Sequence, residues 1–255
     1  MIITLTTDFG GSEYAGAMKG VILSIAPHAR VVDITHNIRS FDVRHAAYVV
    51  KSVCPYFPRG SIHVVVVDPG VGTARRGIAI ETRDYYYVGP DNGVFTFVED
   101  IKRAVELRLK ARSRTFHGRD VFAPVAARLA RGEAIESFGE QVEEIVRLPI
   151  AEAKLLEDKI RGEVLCVDVF GNVITNIPEQ LLARANINYG DRIRIRLGAR
   201  KLEVPFLQSY GFAREGELLA LVGSEGYLEV AVNRGSASAE LGVKGGEKVE
   251  ICAAC

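Results

Sequence analysis

The sequence predicts two domains of different fold class: an α/β N-terminal domain with a mainly parallel sheet flanked by helices, and a smaller C-terminal antiparallel β-barrel or sandwich. Strand and helix patterns alternate in the first half, whereas the second half has short strands separated closely by Gly, Asn and Asp. A chain of 255 residues with 48% hydrophobic content can bury a substantial core without disulfides. We place the domains at residues 1–152 and 160–255, with the charged stretch Ala151–Arg161 as their connection.

Hydrophobic periodicity predicts the elements of the first half. Ile2–Thr7 is a short β-branched strand, and Ser12 is expected to cap a helix with one apolar face. Ile62–Val67 is a continuous apolar run, which is typical of a strand buried on both faces. Further strands are predicted at Val31–His36, Gly77–Glu81 and Tyr85–Val88, and further helices at Asp42–Val53 and Arg119–Ala130.

Closely spaced turn residues characterise the second half, where strands predominate. The predicted strands are Val164–Val169, Val173–Asn176, Arg192–Leu197, Leu202–Phe206, Leu218–Val222, Tyr227–Val232 and Lys248–Cys252, and the short helices are Pro178–Ala185 and Ala237–Leu241. This succession is typical of a small antiparallel barrel or sandwich.

Composition and charge argue against several classes of protein. Basic and acidic residues number 32 each, so the net charge is zero and no general binding of nucleic acid is expected. No apolar run approaches the ~18 residues of a membrane span, and no secretory signal is expected at the N-terminus. Four scattered cysteines fit a reducing compartment, so a cytoplasmic location is predicted. Cys252 and Cys255 lack a second ligand pair, and we interpret them as a chain end without function.

Polar side chains follow several predicted strands, where the ligands of an open parallel sheet bind. These are Asp8, Asp33, His36, Asp68, the Asp91-Asn92-Gly93 turn and the His117–Asp120 segment. Together they predict a site at this edge of the sheet. The motifs of phosphate-binding loops, zinc proteases and serine hydrolases do not occur, and Gly70-Val-Gly72 fails as a dinucleotide-binding pattern. A metallohydrolase stays open as an alternative, although none of these Asp and His residues has a compact metal-ligand spacing.

Seven short motifs then occur in order along the chain: Thr7–Gly10, Asp33–His36, Asp68–Arg76, Pro90–Gly93, Thr115–Asp120, Asp168–Asn172 and Gly226–Asn233. Together they resemble the S-adenosyl-L-methionine (SAM) hydrolases (adenosine-forming), or SAM hydroxide adenosyltransferases, which are relatives of the fluorinase and chlorinase. The resemblance covers essentially the whole chain. It implies an α/β domain joined to a β-barrel-like domain, and a homotrimer that holds SAM at the subunit interface.

The resemblance also implies a reaction, in which water or hydroxide attacks ribose C5′ of SAM and releases adenosine and L-methionine without cofactor or metal. The hydrolase branch is marked by an Asp–Arg–His set, which corresponds here to Asp68, Arg75 and His117. Either Asp68 or His117 would accept the proton of water, and Arg75 would stabilise hydroxide character. In the halogenases a halide-binding serine and threonine stand at the positions of Gly118 and Val71.

Six further positions resemble the substrate-binding residues of the family. Asp8 matches the aspartate that accepts both ribose hydroxyls, and Phe41 an aromatic residue beside the ribose and methionine. Asp168 matches the residue that holds the methionine ammonium, and Asn172 the one that reads the adenine edge. The remaining two are Tyr210, which aligns with an aromatic that stacks on adenine, and Ser224, which lies near the methionine carboxylate.

Two departures from the fluorinase pattern concern this binding site. The Asp168–Asn172 spacing is one residue shorter, and Glu225 stands where the fluorinase has an arginine near the methionine carboxylate. Recognition of that carboxylate is therefore expected from backbone amides or from another residue.

Two alternatives to a SAM hydrolase remain in addition to the metallohydrolase. A sensor would bind SAM or adenosine without turnover. An adenosyl transferase would use another nucleophile such as halide, against which Asp68, His117 and Gly118 argue. The identity of the product discriminates between these alternatives.

Overall fold

Two sheets of different construction account for the two halves of the chain. The computed structural model describes residues 1–157 and 159–253, which group into a unit from Met1 to Leu148 and a second unit from Pro149 onward. The first unit is a mixed sheet with parallel strands and helices, and the second is an antiparallel, nearly closed barrel. The predicted fold class is therefore confirmed for both halves.

All residues of the first unit are among those that the structure describes. Its strands are β1 (Ile2–Thr7), β2 (Arg30–Thr35), β3 (Ile62–Val66), β4 (Gly77–Glu81), β5 (Tyr86–Pro90), β6 (Arg103–Leu107) and β7 (Gly139–Gln141). Its helices are α1 (Glu13–Ile25), α2 (Val43–Val53) and α3 (Ala123–Ala130), with 3-10 turns at Cys54–Tyr56 and Ile135–Phe138 and a π-helical turn at Gly118–Phe122. The spatial order is β2-β1-β3-β5-β4-β6-β7.

The parallel strands β2, β1, β3 and β5 form one side of this sheet, and β4, β6 and β7 extend it in antiparallel fashion. Helices cover both faces: Val64 and Val66 pack in a cluster with Met18 of α1, whereas Val65 packs with Ala46 of α2. This explains why β3 is apolar at every position but His63, since no position of a central strand faces solvent.

The register of β1 and β3 determines where the first polar loops begin. Thr7 pairs with Val66, so Asp8 and Asp68 follow adjacent parallel strands at the same edge of the sheet. The end of β2 is attached to the same place, because the Ile38 N–H donates to the Thr7 carbonyl over 3.3 Å. The parallel order thus brings together loops that are distant in sequence.

Two helix starts differ in how they are capped. Asp42 caps α2, since its carboxylate accepts from the His45 N–H over 2.9 Å. Ser12 occupies the cap position of α1 as expected, but its hydroxyl makes no capping bond and is a buried oxygen without a partner among the described residues. Ser12 therefore has the predicted position, but the predicted capping hydrogen bond is wrong. Its side chain lies beside the cavity described below instead of turning back to the helix.

The second unit is an antiparallel sheet. Its strands are β8 (Lys154–Leu156), β9 (Lys159–Val167), β10 (Val173–Pro178), β11 (Arg192–Leu197), β12 (Arg200–Pro205), β13 (Leu218–Val222), β14 (Tyr227–Val232) and β15 (Lys248–Ala253). The helices are α4 (Glu179–Arg184) and α5 (Ala237–Leu241), with a 3-10 turn at Tyr210–Phe212. The spatial order is β12-β11-β15-β9-β10-β14-β13, and β8 pairs with β9.

The two end strands of this sheet approach each other and almost close the barrel. A single bridge joins Phe206 to Ala220, and the Leu207 N–H donates to the Ala220 carbonyl over 2.8 Å. Along β11 the isoleucines at 193 and 195 point into the core while the intervening arginines are exposed. This period-2 pattern is typical of a strand with one buried face, and it agrees with the strand predicted at Arg192–Leu197.

The charged stretch Ala151–Arg161 is not an unstructured connection. Leu155 pairs with Ile160 where β8 and β9 form a hairpin, and Leu155 packs against the core of the second unit. We propose accordingly that the second domain begins ahead of residue 160.

Cys252 lies in β15 and carries a free thiol, whereas Cys255 lies outside the described residues. Within the described chain, no helix has the length and apolar character needed to cross a membrane.

His63 gives the first unit a predictable dependence of stability on pH. The ring is fully buried against Tyr85 and Tyr87, and Nδ1 lies 2.8 Å from the Thr4 hydroxyl. Burial lowers the pKa of His63 to about 4. An unfolded histidine has a pKa of about 6.5, so the unfolded chain binds the proton preferentially between these values, and folding weakens as the pH falls.

We expect acidification from pH 7 to pH 4.5 to cost about 2 kcal/mol of unfolding free energy through His63. The variant His63→Phe with Thr4→Val removes the titrating ring and its hydroxyl partner, and should lose this part of the pH dependence. Urea unfolding at both pH values measures it. An equal loss in the variant and the parent chain would contradict the assignment.

Candidate active site

A cavity of about 580 Å³ opens at the carboxyl ends of β1 and β3. The loops after both strands and the segment before the π-helical turn form its wall. The lining residues are Asp8, Phe9, Ser12, Tyr14, Ser40, Phe41, Val66, Asp68, Val71, Ser113, Thr115, Phe116, His117, Gly118 and Arg119. The cavity therefore brings together four of the predicted site residues: Asp8, Phe41, Asp68 and His117.

A hydrogen bond joins the Phe41 backbone to the Asp8 carboxylate. The Phe41 N–H donates to Asp8 Oδ2 over 2.9 Å, and Phe41 has a left-handed backbone with φ of +66°. Such a conformation costs free energy for a residue other than glycine, and strained residues of this kind are concentrated at ligand sites. This bond engages Asp8 Oδ2, and Phe41 is 68% exposed.

Gly72 lets the loop after Asp68 pack directly on the loop that carries His117. It has φ of +76°, and a Cβ atom at this position would lie 2.4 Å from the Arg114 carbonyl oxygen. The backbones of the two loops are thus in contact. Any side chain at residue 72 would force them apart.

Asp68 and Arg75 form a buried bidentate ion pair. Arg75 Nε donates to Asp68 Oδ1 over 3.0 Å, and Nη2 donates to Oδ2 over 2.5 Å. The side chains are only 5% and 8% exposed, and Nη1 donates to the Arg76 carbonyl over 2.8 Å. The guanidinium also lies over the Phe122 ring, 5.5 Å from its centroid. Parallel bonds of this kind fix the carboxylate more firmly than a single contact would.

His117 completes this set through the same guanidinium. Its Nδ1 lies 3.0 Å from Arg75 Nη2. Because a guanidinium can only donate, Nδ1 must accept, and a neutral His117 must then carry its proton on Nε2. The arrangement assigns the tautomer of His117 from the chemistry of its neighbour.

Burial and the neighbouring charges set the protonation states of these groups. Burial and the Arg75 cation lower the pKa of His117, so the ring is neutral near pH 7. Burial raises the pKa of Asp68 above its ordinary value, against the opposing effect of Arg75. Asp68 is consequently a stronger base than an exposed aspartate, although its ion pair still favours the carboxylate.

Aromatic and small residues shape the rest of the cavity. Phe9, Tyr14 and Phe116 make mutual edge-to-face contacts with centroids 5.1–5.9 Å apart. At Gly118 a Cβ atom would lie 3.1 Å from Met18 Sδ, closer than most real Cβ contacts. The cavity wall is therefore apolar on one side and leaves no spare room at residue 118.

The second unit holds another part of the predicted set. Asp168 Oδ1 accepts from the N–H groups of Phe170 and Asn172, over 2.9 Å and 2.8 Å. Asp168 Oδ2 accepts from Asn172 Nδ2 over 2.9 Å. Since a carboxylate only accepts, this contact fixes the orientation of the Asn172 amide and leaves Asn172 Oδ1 without a partner among the described residues.

Tyr210 connects Asn172 to a carboxylate that the sequence analysis missed. The Tyr210 hydroxyl lies 3.4 Å from Asn172 Nδ2 and donates to Glu229 Oε2 over 3.0 Å. Glu229 is 7% exposed, and burial and the Asp168 charge raise its pKa. The detectable signal was a glutamate within the otherwise apolar strand β14.

Ser224 lies in the exposed turn between β13 and β14, and no hydrogen bond of the described chain joins its side chain to this group. Three apolar side chains beside Asp168 and Tyr210 are strongly exposed: Val169 at 81%, Phe170 at 73% and Phe212 at 69%. The second unit thus presents polar binding groups within an apolar surface.

Other polar residues at strand ends have local structural partners instead. Asp33 accepts from Lys19 Nζ over 2.5 Å and lies 3.1 Å from His36 Nε2. The Asp91 carboxylate pairs with Arg76 and accepts from the Val146 N–H. Among the described residues, no group of three or more His, Cys, Asp or Glu side chains is placed to hold a metal ion.

Comparison with known families gives matches in both units. Residues 3–139 match the family described as SAM hydroxide adenosyltransferase N-terminal domain. Residues 162–250 match the SAM hydroxide adenosyltransferase C-terminal domain.

Similar proteins cover nearly the full length. An (R)-S-adenosyl-L-methionine hydrolase of Methanocaldococcus jannaschii is 41% identical over 98% of this chain and 95% of its own. A hydrolase of the same description from Thermus thermophilus is 42% identical over 96% and 97%. A fluorinase of Nocardia brasiliensis is more distant, at 29% identity over 98% and 96%. Among solved structures, an uncharacterized conserved protein from Thermotoga maritima has a TM-score of 0.89 and 41% identity, over 99% of this chain and 100% of its own.

Replacement of Gly72 by alanine should destabilise the first unit by several kcal/mol, because it adds a steric clash to the cost of roughly 1–2 kcal/mol for a left-handed residue. Gly132→Ala is the matched control, since Gly132 has φ of +89° but no atom within 4 Å of the place that a Cβ would occupy. Urea unfolding of both variants gives the comparison. Equal losses would show that contact between the two loops does not require glycine.

Proposed function

Because the chain belongs to the SAM hydroxide adenosyltransferase family, we propose that it hydrolyses SAM to adenosine and L-methionine. The observation that carries this proposal is the contact of Arg75 with both Asp68 and His117 at the wall of the cavity. Water is the nucleophile: its oxygen forms a bond to ribose C5′, the C5′–S bond breaks, and methionine leaves as a neutral thioether. One proton is released.

We assign the acceptance of that proton to Asp68. His117 Nδ1 is occupied by Arg75, and Nε2 carries the proton of the neutral ring, so His117 is a donor toward the cavity. Asp68 retains lone pairs on both oxygens, and its raised pKa suits a general base. His117 Nε2–H would then orient the water oxygen while Asp68 removes its proton.

Arg75 and the apolar wall favour the same step electrostatically. A fixed cation beside Asp68 stabilises hydroxide character on the attacking water. Attack of an anionic oxygen on a sulfonium neutralises charge, which proceeds more easily in a site with little water. The remaining contribution comes from holding water in line with the C5′–S bond, worth up to ~7–11 kcal/mol in model reactions.

Substrate binding is assigned to residues of both units. In the first, Asp8 would accept the ribose hydroxyls and Phe41 would flank the ribose and methionine. In the second, Asp168 would accept from the ammonium, and the Asn172 Oδ1 acceptor would take a hydrogen bond from the adenine amino group. Two further contacts follow from the family pattern, with Tyr210 stacking on adenine and Ser224 near the methionine carboxylate.

Halide transfer is disfavoured by the contacts of Gly118. A serine at this position would bring its side chain against Met18 and Val66. We also propose that the reaction is metal-independent, since both Asp68 oxygens already accept from Arg75 and the described chain offers no three-residue ligand group. A SAM sensor would bind the same substrate without product, so turnover decides between the two.

We propose further that the chain forms a homotrimer in which the first unit of one subunit and the second unit of its neighbour enclose SAM. The exposed Val169, Phe170 and Phe212 around the Asp168 group support this, because such apolar area is typical of an interaction surface. The cytoplasmic location stays a prediction of the sequence.

Incubation of chelator-treated protein with SAM in H₂¹⁸O should give adenosine with ¹⁸O at the 5′ position, together with methionine, as measured by mass spectrometry. Intact SAM would support the sensor, and activity lost to the chelator would support a metallohydrolase. A 5′-chloro product in chloride buffer would contradict the hydrolase assignment.

Two variants in the same assay test the roles of the residues. Asp68→Asn should lower kcat by ~10²-fold or more while SAM still binds, because the general base is removed. His28→Ala, at a histidine that does not line the cavity, is the control and should retain full activity.

Mixing of two inactive variants should restore activity if the site is shared between subunits. His117→Ala damages the first unit and Asp168→Ala the second, and random trimers of both would contain intact combined sites at about a quarter of positions. The two proteins are dissociated, mixed and reassociated, and their mass is followed by analytical ultracentrifugation. Full inactivity of verified mixed trimers would show that each site lies within one subunit.

A further inference from the structure

Asp120 is a buried carboxylate that follows His117 by three residues and does not line the cavity. Its side chain is 1% exposed. Oδ2 accepts from the Ser113 N–H over 2.7 Å and from Arg119 Nη2 over 3.1 Å, and Oδ1 accepts from Arg119 Nε over 2.7 Å. A carboxylate this deeply buried needs such a full set of donors to remain charged.

These bonds fix the loop on both sides of His117. The Ser113 N–H is held ahead of the histidine, and the Asp120 N–H donates to the Phe116 carbonyl over 3.1 Å. Arg119, held by Asp120, lies over the Phe116 ring at 4.9 Å from its centroid. The Asp120 carboxylate and the Asp120 N–H therefore hold the backbone from 113 to 120 in one loop conformation.

The same segment contains the π-helical turn Gly118–Phe122, which directly follows His117. A π-helical turn is wider than an α-helical one and shifts the residues before it relative to the helix axis. Such turns need support from outside their own ladder, because they are less favourable than α-helix. Asp120 supplies such support by accepting a hydrogen bond from the Ser113 N–H, which lies outside the turn.

On the basis of the hydrolysis proposed above, we propose that Asp120 is a positioning residue that holds His117 Nδ1 against Arg75. Asp120 would not contact SAM or the attacking water. It would act through the place of the His117 ring, and thereby through the tautomer that presents Nε2–H to the water. The Asp120 charge also acts on this histidine, since it opposes the lowering of the His117 pKa.

Asp120→Ala should lower kcat at least ~10-fold and change KM by less than ~3-fold, because the ribose and adenine contacts stay in place. Asp120→Asn keeps an acceptor for the Ser113 N–H and should recover most of the lost kcat. Thermal unfolding confirms that the variants are folded at the assay temperature.

The matched control is Glu133→Ala. Glu133 accepts from Arg128 in the same bidentate manner and from the Ser137 hydroxyl, and Arg128 lies over Phe138 at 4.8 Å, but none of these residues lines the cavity. The Glu133 side chain is 33% exposed, so this variant should lose less stability than Asp120→Ala, and it should keep kcat. A similar loss of kcat in both variants would overturn the proposal, since it would reflect stability alone.

A double variant tests whether Asp120 acts through His117. Addition of Asp120→Ala to His117→Ala should lower kcat no further, because the ring to be positioned is already absent. If Asp120→Ala lowered kcat by the same factor in the parent chain and in His117→Ala, the proposal would be overturned.

A readout independent of turnover separates this proposal from the proposed function. ¹⁵N NMR of the imidazoles, assigned with His117→Ala, should show a pure Nε2–H tautomer for His117 in the parent chain and a mixture in Asp120→Ala. An unchanged tautomer would overturn the positioning role. Absence of SAM turnover by the parent chain would refute the function and leave the NMR comparison intact.

Discussion

The candidate site depends on the hydrogen bonds of the Arg75 guanidinium, since they join the loop after β3 to the loop before the π-helical turn. Burial of this cation requires the Asp68 carboxylate, and burial of the carboxylate requires the cation. Loss of either partner would leave an uncompensated charge in the interior. His117 then takes its tautomer from the pair, so the chemistry of all three residues is determined by one interaction.

The fold supplies what this interaction needs. Parallel pairing of β1 with β3 places Asp8 and Asp68 side by side, and Gly72 allows the two loops to approach at backbone distance. Periodicity is a property of local sequence, and from it the parallel strands and the polar residues that follow them could be predicted. The antiparallel extension by β6 and β7 was not predicted, because their short sequences have no clear alternation.

Residue type at a strand end selected Asp8 and Asp68, and the structure places both of them, together with His117, at the wall of one cavity. The same criterion also selected Asp33 and Asp91, whose carboxylates instead bind Lys19 and Arg76. A sequence does not reveal which acidic groups find a local cation, since that depends on packing. The roles of the binding residues stay predictions. Glu229 was not singled out, because its burial and its bond from Tyr210 depend on packing between elements that are distant in sequence.

Glu229 and Gly223 illustrate a dependence between two positions six residues apart. A Cβ atom at Gly223 would lie 1.8 Å from Glu229 Oε1, so the carboxylate occupies the volume that any other residue would need. A side chain at residue 223 would therefore require the Glu229 carboxylate to move. The hydrogen bond that Tyr210 donates to Glu229 Oε2 depends on the present place of this carboxylate, so the absence of a side chain at Gly223 also preserves that bond.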